Sequence, residues 1–463
     1  MVVLTTVAST NPQTQTDPYR LVLYNDAGTH FLLRSDRSGN VLPGVEVPQF
    51  TRQVEQINSR LWDLWGFSTI VLWTEPVNSE QDSCFAVMEV CKCDRQLPLD
   101  LSWFPIQDAA SHLNDLEADF VIASHAKAME LPARPDPAPF SRLGWIYSVE
   151  RWIEGIVGPT GIKLERFSQL SGSENTSLVT FETTKLPLWL KAVGPADPQE
   201  FVNTQILSRL FPEYLPPILN FDPSRNAWLM ESGGDTLRHR EDVATWRVVA
   251  QRLAALQIES VSRTAGLLGG GCRDLRFSIL SNLVSPFFAL VTDLMTQQTK
   301  TSPAPLTSQE LVELAASLQH ALDELSATGI PDALGHSDFN PGNILISGER
   351  CVFIDWSAAY VGNPLLTLEY LLAHRRKTGP APVGEEDELR ATYAHAWETQ
   401  ISPENLDRAL QLARLVAVYA SAIASNSWRD PERLARPDVR GYLRSLARIM
   451  KREADSLSRG LLA

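Results

Sequence analysis

The sequence predicts an α+β protein in which an N-terminal α/β domain precedes a longer part made of a strand-rich and then a helical region. Short apolar runs typical of β-strands dominate before residue 230. Helical periodicity dominates from Asp242 onward, and four prolines within residues 131–142 separate the two parts, because proline disfavours both helix and central strand. A chain of 463 residues is long enough for two or three folding units.

The composition is that of a globular protein. The hydrophobic fraction of 44 % and the charged fraction of 21 % exclude a mostly disordered chain. The net charge of -14 argues against a nucleic-acid partner, which would require a basic surface. No uninterrupted apolar run reaches about 18 residues, so we expect no transmembrane helix and no membrane partner. The five irregularly spaced cysteines and the absence of a basic leader favour a cytoplasmic location.

The N-terminal part divides into a polar start and a folded domain. Residues 1–17 are rich in Thr, Ser, Asn and Gln and are expected to be disordered. Residues 18–130 form the predicted α/β domain, and residues 131–147 form a proline-rich linker. Apolar periodicity within the domain predicts strands at 19–24, 30–34, 69–73 and 84–90 and a helix at 54–65.

The C-terminal part is predicted to contain a strand-rich lobe, residues 148–234, and a helical lobe, residues 235–463. Strands are expected in the first lobe at 167–171, 178–182, 188–193 and 227–230, with helices at 148–155 and 200–210. The second lobe is expected to contain helices at 242–257, 275–297, 308–327 and several beyond 365, with short strands at 343–346 and 351–354.

Four polar residues beside these two short strands have the spacing of a phosphoryl-transfer site. Such a site needs a base near the acceptor hydroxyl and oxygen ligands for magnesium. Asp338 has the position of the base, with His336 two residues before it and Asn343 five residues after it. Asp355 follows the next apolar strand and would be the second magnesium ligand. A polar β-turn at 340–343 is the alternative, but it does not explain the charged aspartate and the histidine.

The segment Leu334-Gly-His-Ser-Asp-Phe-Asn-Pro-Gly-Asn-Ile-Leu-Ile-Ser347, followed by Val352-Phe-Ile-Asp-Trp356 and Gly362-Asn-Pro364, resembles the aminoglycoside phosphotransferase and choline kinase family. That family usually has H-G-D-x-x-x-x-N and then I-D-W or I-D-F. The resemblance covers roughly residues 165–450. It implies a bilobal protein-kinase-like fold, with a small β-rich N-lobe and a large helical C-lobe. It also implies ATP and Mg²⁺ as cofactors and a small hydroxylated acceptor that is aminoglycoside-, choline- or sugar-like.

Nucleotide-binding residues are expected in the N-lobe. The loop Ser171–Ser177 lies between two predicted strands, and its Ser173 and Asn175 could meet phosphate oxygens, although a plain hairpin turn explains it equally well. Lys191 lies within an apolar strand and would face the phosphates, whereas a lysine on an edge strand reaching solvent is the alternative.

Two further parts of the N-lobe complete this prediction. Glu200 at the start of the next helix is the expected partner of the lysine, with Gln205 as the alternative. The backbone of Met230 and Ser232 would bind adenine, and Gly233 and Gly234 after them would allow the lobes to move.

The sequence departs from the family pattern at two positions. Ser337 replaces the usual glycine, and Thr367 replaces an aspartate that supports the catalytic loop, which is expected to weaken the site. An acidic run, Glu385 to Glu388, would either face a cationic substrate or lie in solvent as the start of a helix. The motif Asp-Trp in place of Asp-Phe-Gly argues against a protein kinase.

The N-terminal domain distantly resembles a Nudix hydrolase, through Leu42-Pro43-Gly44 and the stretch Ser59–Gly66. Only Asp63 in this stretch could bind a metal, so we expect a domain without hydrolase activity that serves as a helper or recognition domain. For the whole chain, the alternative to an active small-molecule kinase is a nucleotide-binding pseudokinase that acts as a regulatory or interaction module.

Overall fold

The computed structural model describes residues 15–37, 39–75, 84–130, 139–173, 175–194, 198–377 and 384–460. The chain forms two compact units. The strand-rich unit contains residues 1–201 and 217–232, and the helical unit contains residues 202–216 and 233–463. Nearly all of the predicted disordered segment 1–17, and residues 131–138 of the predicted linker, lie outside the described residues.

The strand-rich unit begins with a seven-stranded mixed sheet. Strand β1 lies inside it, parallel to β6 and antiparallel to β2 and β4. Residues Leu21–Tyr24 of β1 are fully buried, as expected for a strand covered on both faces. The strands are β1 (Thr16–Asn25), β2 (His30–Asp36), β3 (Gly39–Val41), β4 (Gly44–Pro48), β5 (Phe67–Glu75), β6 (Cys84–Cys93) and β7 (Leu101–Pro105).

Three helices accompany this sheet: α1 (Gln53–Trp65), α2 (Ala109–His112) and α3 (Asp115–Met129). Helix α1 buries Val54, Ile57 and Leu61, the apolar residues whose spacing predicted it. It ends where Gly66 adopts the left-handed conformation, with φ of 70°, which glycine adopts at low cost. Helix α3 begins at Asn114, whose side chain accepts the backbone N–H of Glu117.

A second sheet of five strands completes the strand-rich unit, in the order β11-β12-β10-β9-β8. All its pairs are antiparallel, and β10 is the central strand. The elements are α4 (Trp145–Val157), β8 (Leu164–Gly172), β9 (Thr176–Thr183), β10 (Leu188–Val193), α5 (Gln199–Leu210), β11 (Ile218–Asp222) and β12 (Ala227–Glu231). Helix α5 begins in this unit and continues in the helical unit.

The two sheets of the strand-rich unit share one hydrophobic core. Val22 and Leu72 of the first sheet belong to the same buried cluster as Phe181 and Leu190 of the second, together with Ile153 of α4. Burial of apolar surface is the main favourable term in folding, so both sheets depend on one another for stability. The predicted linker therefore joins two sheets that have a common core.

The side chain of Gln169 also joins the two sheets by hydrogen bonds. Gln169 on β8 accepts the backbone N–H of Val71 on β5 at 2.7 Å and donates to the carbonyl of Val71 at 3.0 Å. The pairing of β5 with β6 shifts register between Val71 and Trp73, so the carboxamide replaces a strand partner at an irregularity. Gly172, three residues further on, would bring an added Cβ to 2.5 Å from Nε2 of Gln169.

The helical unit has one large core and two small three-stranded sheets, in the orders β13-β16-β17 and β14-β18-β15. Its strands are β13 (Asp235–Thr236), β14 (Arg273–Leu275), β15 (Ala333–His336), β16 (Ile344–Ser347), β17 (Arg350–Phe353) and β18 (Ala359–Gly362). Its helices are α6 (Val243–Ser260), α7 (Thr264–Gly269), α8 (Phe277–Thr296), α9 (Ser308–Ala327), α10 (Leu365–Arg375), α11 (Glu385–Trp397), α12 (Pro403–Ala424), α13 (Pro431–Ala435) and α14 (Pro437–Gly460).

Helix α8 is long and apolar enough to cross a membrane by length and composition alone. One such helix is weak evidence for a membrane span, because core helices of globular proteins meet the same criteria. Phe287, Phe288 and Val291 of α8 are buried in the core of the helical unit. A third of the most apolar stretch of this helix, 33 %, is buried inside the protein.

The predicted α+β class is confirmed, with strand-rich elements first and helices after them. Helix α9 begins and ends where its periodicity predicts, and it starts with a capping box formed by Thr307 and Glu310. Strands β14, β15 and β18 were not predicted, because segments of three or four residues contain too little periodicity to be recognised.

Candidate active site

The structure places the predicted site residues in two groups, one in each unit. The first group lies in the loop that joins β15 to β16. Asp338 accepts a hydrogen bond from Nδ2 of Asn340 at 3.0 Å on one carboxylate oxygen. Its backbone carbonyl accepts Nδ2 of Asn343 at 2.9 Å. The base predicted from spacing is thus held in a defined orientation by two asparagines of its own loop.

His336, which precedes this loop at the end of β15, is almost fully buried, at 1 % exposure. Its Nδ1 accepts the backbone N–H of Asp338 at 3.1 Å, and its Nε2 lies 3.1 Å from the carbonyl oxygen of Ile354. Since a backbone N–H can only donate, the ring proton is on Nε2. Burial lowers the pKa of His336, so the ring is neutral. The sequence predicted His336 as a catalytic residue together with Asp338. The geometry instead supports a role for His336 in positioning the loop.

Asn343 and Asp355 lie at the same end of the β16–β17 hairpin. The backbone N–H of Ile354 donates to the carbonyl of Asn343 at 3.0 Å, and Asp355 is the next residue. Asp355 has φ of 65°, an uncommon conformation for a residue with a side chain, and it accepts a hydrogen bond from Oγ of Ser357 at 3.0 Å. Backbone strain of this kind is concentrated at functional sites.

The residues at the hairpin end fit a magnesium ion that arrives with a nucleotide. Because Nδ2 of Asn343 donates to Asp338, the amide oxygen of Asn343 is the atom that could bind a cation. A carboxylate from Asp355 would supply a second hard oxygen. No group of three His, Cys, Asp or Glu residues suited to a metal occurs in the described part of the chain. Phosphate oxygens and water would therefore have to complete the coordination, as is usual for Mg²⁺.

Thr367 performs the supporting role that the sequence assigned to a missing aspartate. Its Oγ1 accepts the backbone N–H of His336 at 2.9 Å and lies 2.9 Å from the hydroxyl of Tyr360. Both Thr367 and Tyr360 are fully buried. The expectation that Thr367 weakens the site is therefore not supported by the geometry, since the loop keeps a buried anchor.

The other departure from the family pattern is also accommodated. Ser337 donates through Oγ to the carbonyl of Ala358 at 2.9 Å, and its backbone N–H bonds the same oxygen at 3.0 Å. The glycine of this stretch is at 335, where an added Cβ would lie 2.0 Å from the ring of Tyr360. The close approach of backbone and ring therefore requires glycine at residue 335.

The second group lies in the strand-rich unit. Lys191 on β10 is 2.5 Å from the carboxylate of Glu200 at the start of α5, and the two side chains are 15 % and 5 % exposed. Because β10 is the central strand of its sheet, the alternative of an edge-strand lysine is wrong. A lysine buried in this way needs an opposite charge, which Glu200 supplies.

The remaining predicted nucleotide-binding residues have local roles in the strand-rich unit. Oγ of Ser173 accepts the backbone N–H groups of Asn175 and Thr176 at 3.1 and 3.3 Å, which shapes the turn between β8 and β9. Met230 lies in β12 and is 7 % exposed, and Ser232 is the last residue of the unit. Nothing in these contacts separates a phosphate loop from a plain hairpin turn.

The two glycines after this strand lie close to β16. Gly234 has φ of 110°, and an added Cβ would lie 2.2 Å from the carbonyl oxygen of Ile346. At Gly233 an added Cβ would lie 2.6 Å from Leu345. Strand β13 approaches β16 closely here, with Asp235 opposite Ile346. A side chain at Gly234 would not fit beside the backbone of Ile346, and the assignment of both glycines to lobe movement stays a prediction.

The acidic run at the start of α11 is paired with arginines. Glu385 is buried and bonds Arg375 at 2.8 Å, and Glu388 lies 3.1 Å from Arg247. Glu386 bonds Arg376 at 3.0 Å. Glu385 is therefore not part of a solvated helix start, and Glu385, Glu386 and Glu388 are paired within the protein.

The N-terminal domain shows no Nudix-type site in the described residues. Asp63 is exposed on α1, and its backbone carbonyl accepts Nη1 of Arg95 at 3.0 Å. A cavity of about 500 Å³ in this domain is lined by Tyr19, Arg20 and Glu117, none of which the sequence analysis selected. The Nudix resemblance stays a prediction.

A family model described as "Phosphotransferase enzyme family" matches residues 233–412, which include Asp338, Asn343 and Asp355. This part of the chain is similar to that family. The match confirms the family that the catalytic-loop motif predicted. It begins at Gly233, so it does not include Lys191 or Glu200. No curated protein sequence matches the chain significantly.

Solved structures with a similar arrangement are distant in sequence. Choline kinase LicA from Streptococcus pneumoniae is 14 % identical, with 67 % of this chain and 99 % of that chain covered and a TM-score of 0.44. Macrolide 2'-phosphotransferase MphH from Brachybacterium faecium is 13 % identical, with 65 % and 98 % covered and a TM-score of 0.44. A choline kinase from Cryptosporidium parvum Iowa II is 12 % identical, with 67 % and 97 % covered and a TM-score of 0.45. Similarities of this size carry no argument about the substrate.

Proposed function

We propose that this protein transfers the γ-phosphoryl group of ATP to a hydroxyl of a small molecule. The observation that carries this proposal is the orientation of Asp338 by Asn340 and Asn343, within a segment that the phosphotransferase family model matches. Phosphoryl transfer depends on positioning and charge stabilisation more than on covalent chemistry, so a held carboxylate beside two oxygen ligands is what the reaction requires.

In this proposal each residue group has a defined task. Asp338 accepts the proton of the acceptor hydroxyl as the new O–P bond forms and the bond between the γ-phosphorus and the ADP oxygen breaks. The products are ADP and the phosphorylated acceptor. Asn343 and Asp355 would hold Mg²⁺, which when bound neutralises charge on the phosphate oxygens. Lys191, oriented by Glu200, would contribute a further positive charge to the phosphates.

The direct test is Mg²⁺-dependent ATP turnover by the wild-type chain and by Asp338→Asn. Turnover is measured as ADP release during a screen of hydroxylated metabolites, with product masses determined by mass spectrometry. Loss of the base is expected to lower kcat by about 10²- to 10⁴-fold. The shape of the side chain is retained in the variant, so the unfolding temperature should change little.

Asp323→Asn is the matched control. Asp323 is exposed on α9 and accepts a hydrogen bond from Gln319, so the same chemical change there should leave turnover unaltered. Equal slow ATP turnover in the wild-type chain and in Asp338→Asn would contradict the proposal and favour a nucleotide-binding pseudokinase.

A further inference from the structure

Arg238 lies directly against the catalytic loop. It belongs to a short 3₁₀ turn, Leu237–His239, that follows β13, and the pairing of β13 with β16 brings this turn next to residues 341–343. An added Cβ at Gly342 would lie 2.8 Å from Nη2 of Arg238. Arg238 is exposed, and no carboxylate pairs with it in the part of the chain that the structure describes.

A second set of basic residues lies at the end of α10. Burial lowers the pKa of His374, the charges of Lys377 and Arg238 lower it further, and the charge of Asp338 opposes them. The charges of Lys377, Arg238 and Asp338 therefore all act on His374. Asp338 is the one carboxylate among the groups that act on His374 within the described residues.

The basic residues of this segment differ in how they are neutralised. Arg375 bonds Glu385 at 2.8 Å, and Arg376 bonds Glu386 at 3.0 Å. His374 and Lys377 have no such carboxylate partner among the residues described. Burial and the charge of Arg376 lower the pKa of Lys377, as expected for a cation with too little negative charge around it.

The helix dipole explains only part of this arrangement. Basic residues at the C-terminal end of α10 interact favourably with the last carbonyl groups, which accounts for some of the run. Arg238 lies on a different element and gains nothing from that dipole. Two elements, the 237–239 turn and the end of α10, therefore carry basic side chains that have no carboxylate partner among the described residues.

We propose that the phosphate acceptor is itself anionic, a hydroxylated carboxylate or phosphate ester whose negative group is bound by Arg238 and Lys377 while its hydroxyl faces Asp338. This inference rests on the proposed phosphotransferase function and specifies its substrate class. An amine-bearing acceptor would instead add a cation to a region that already has an excess of them, which is unfavourable by Coulomb's law. Arginine is well suited to this task because its planar guanidinium binds carboxylate and phosphate through two parallel hydrogen bonds.

The experiment compares acceptors that share a skeleton and differ in charge: gluconate and glucose 6-phosphate as anions, glucose as the neutral compound and glucosamine as the cation. A second series contains glycerate, glycerol 3-phosphate, glycerol and 3-amino-1,2-propanediol. Phosphorylation is measured with Mg²⁺ and ATP for the wild-type chain, Arg238→Gln and Lys377→Gln. Arg240→Gln is the matched control, because Arg240 is an exposed arginine two residues away that lies 3.8 Å from Asp235.

An anion is expected to be the best acceptor in at least one series, and the two anions separate a carboxylate preference from a phosphate preference. Arg238→Gln should lower kcat/KM for that anion by about 10- to 100-fold, mainly through KM, as is typical of losing one charged hydrogen bond. The neutral compound should change far less, and Arg240→Gln should behave as the wild type. An equal loss for every charge class would show a structural role and overturn the inference.

Preference for a neutral or amine-bearing acceptor would also overturn the inference, while Asp338-dependent transfer to that acceptor would leave the proposed function intact. Absence of Asp338-dependent ATP turnover with every acceptor would remove the phosphotransferase function and the inference with it.

Discussion

Thr367→Val tests whether the buried threonine anchors the catalytic loop. Valine has nearly the same shape, so the change removes the hydroxyl and leaves the packing intact. The backbone N–H of His336, bonded to Oγ1 at 2.9 Å, would then be buried without a partner. A buried donor left unpaired costs about 1–3 kcal/mol. The hydroxyl of Tyr360 would keep only the carbonyl of Asn363, at 3.4 Å.

We therefore expect the free energy of unfolding to fall by about 2 kcal/mol, measured by urea denaturation, with kcat reduced because the loop carrying Asp338 follows His336 directly. The unfolding temperature should fall by roughly 4–8 °C for a unit of this size. Thr367→Ser is the control, since it keeps the hydroxyl and should recover most of the stability and activity. Wild-type stability in Thr367→Val, or equal damage in Thr367→Ser, would refute the anchoring role.

Two further predictions concern the strand-rich unit. Glu200→Gln removes the charge that pairs with Lys191, and it should weaken ATP binding by roughly 10- to 100-fold in calorimetry; unchanged affinity would count against a phosphate-binding role for Lys191. Burial raises the pKa of Glu89 to about 7 from an ordinary 4.5, so the native state holds a proton that the unfolded state releases between these values. Stability should therefore fall by roughly 3 kcal/mol as pH rises through that window, and Glu89→Gln should lack this dependence in urea denaturation at pH ~5 and ~8; a flat wild-type profile would disprove the assignment.

Local patterns predicted the parts of the site that are close in sequence. Asp338 and Asn343 belong to one loop, and Asp355 follows the next strand, so spacing alone was enough to predict all three as site residues. The pairing of Lys191 with Glu200 could also be predicted, because the two residues lie on consecutive elements, a strand and the helix that follows it. The apolar periodicity of the longer elements likewise predicted most strands and helices.

Contacts between distant segments could not be predicted in this way. Thr367 bonds the backbone of His336 across 31 positions, and nothing in a single sequence identifies a hydroxyl as a replacement for a carboxylate. The close approach of Gly234 to Ile346 could not be predicted, because it depends on the pairing of β13 with β16. Arg238 was missed for the same reason, since its position against Gly342 depends on that pairing.

The carboxamide of Gln169 has a practical consequence for anyone who wishes to isolate the catalytic region. A shortened chain beginning near residue 148 would remove Val71 and deprive Gln169, 2 % exposed in the intact protein, of both hydrogen bonds to the backbone of Val71. It would also expose to water the apolar face that α4 shares with the first sheet. Such a fragment should aggregate, and limited proteolysis should release no stable kinase core. Studies of catalysis should therefore use the whole polypeptide.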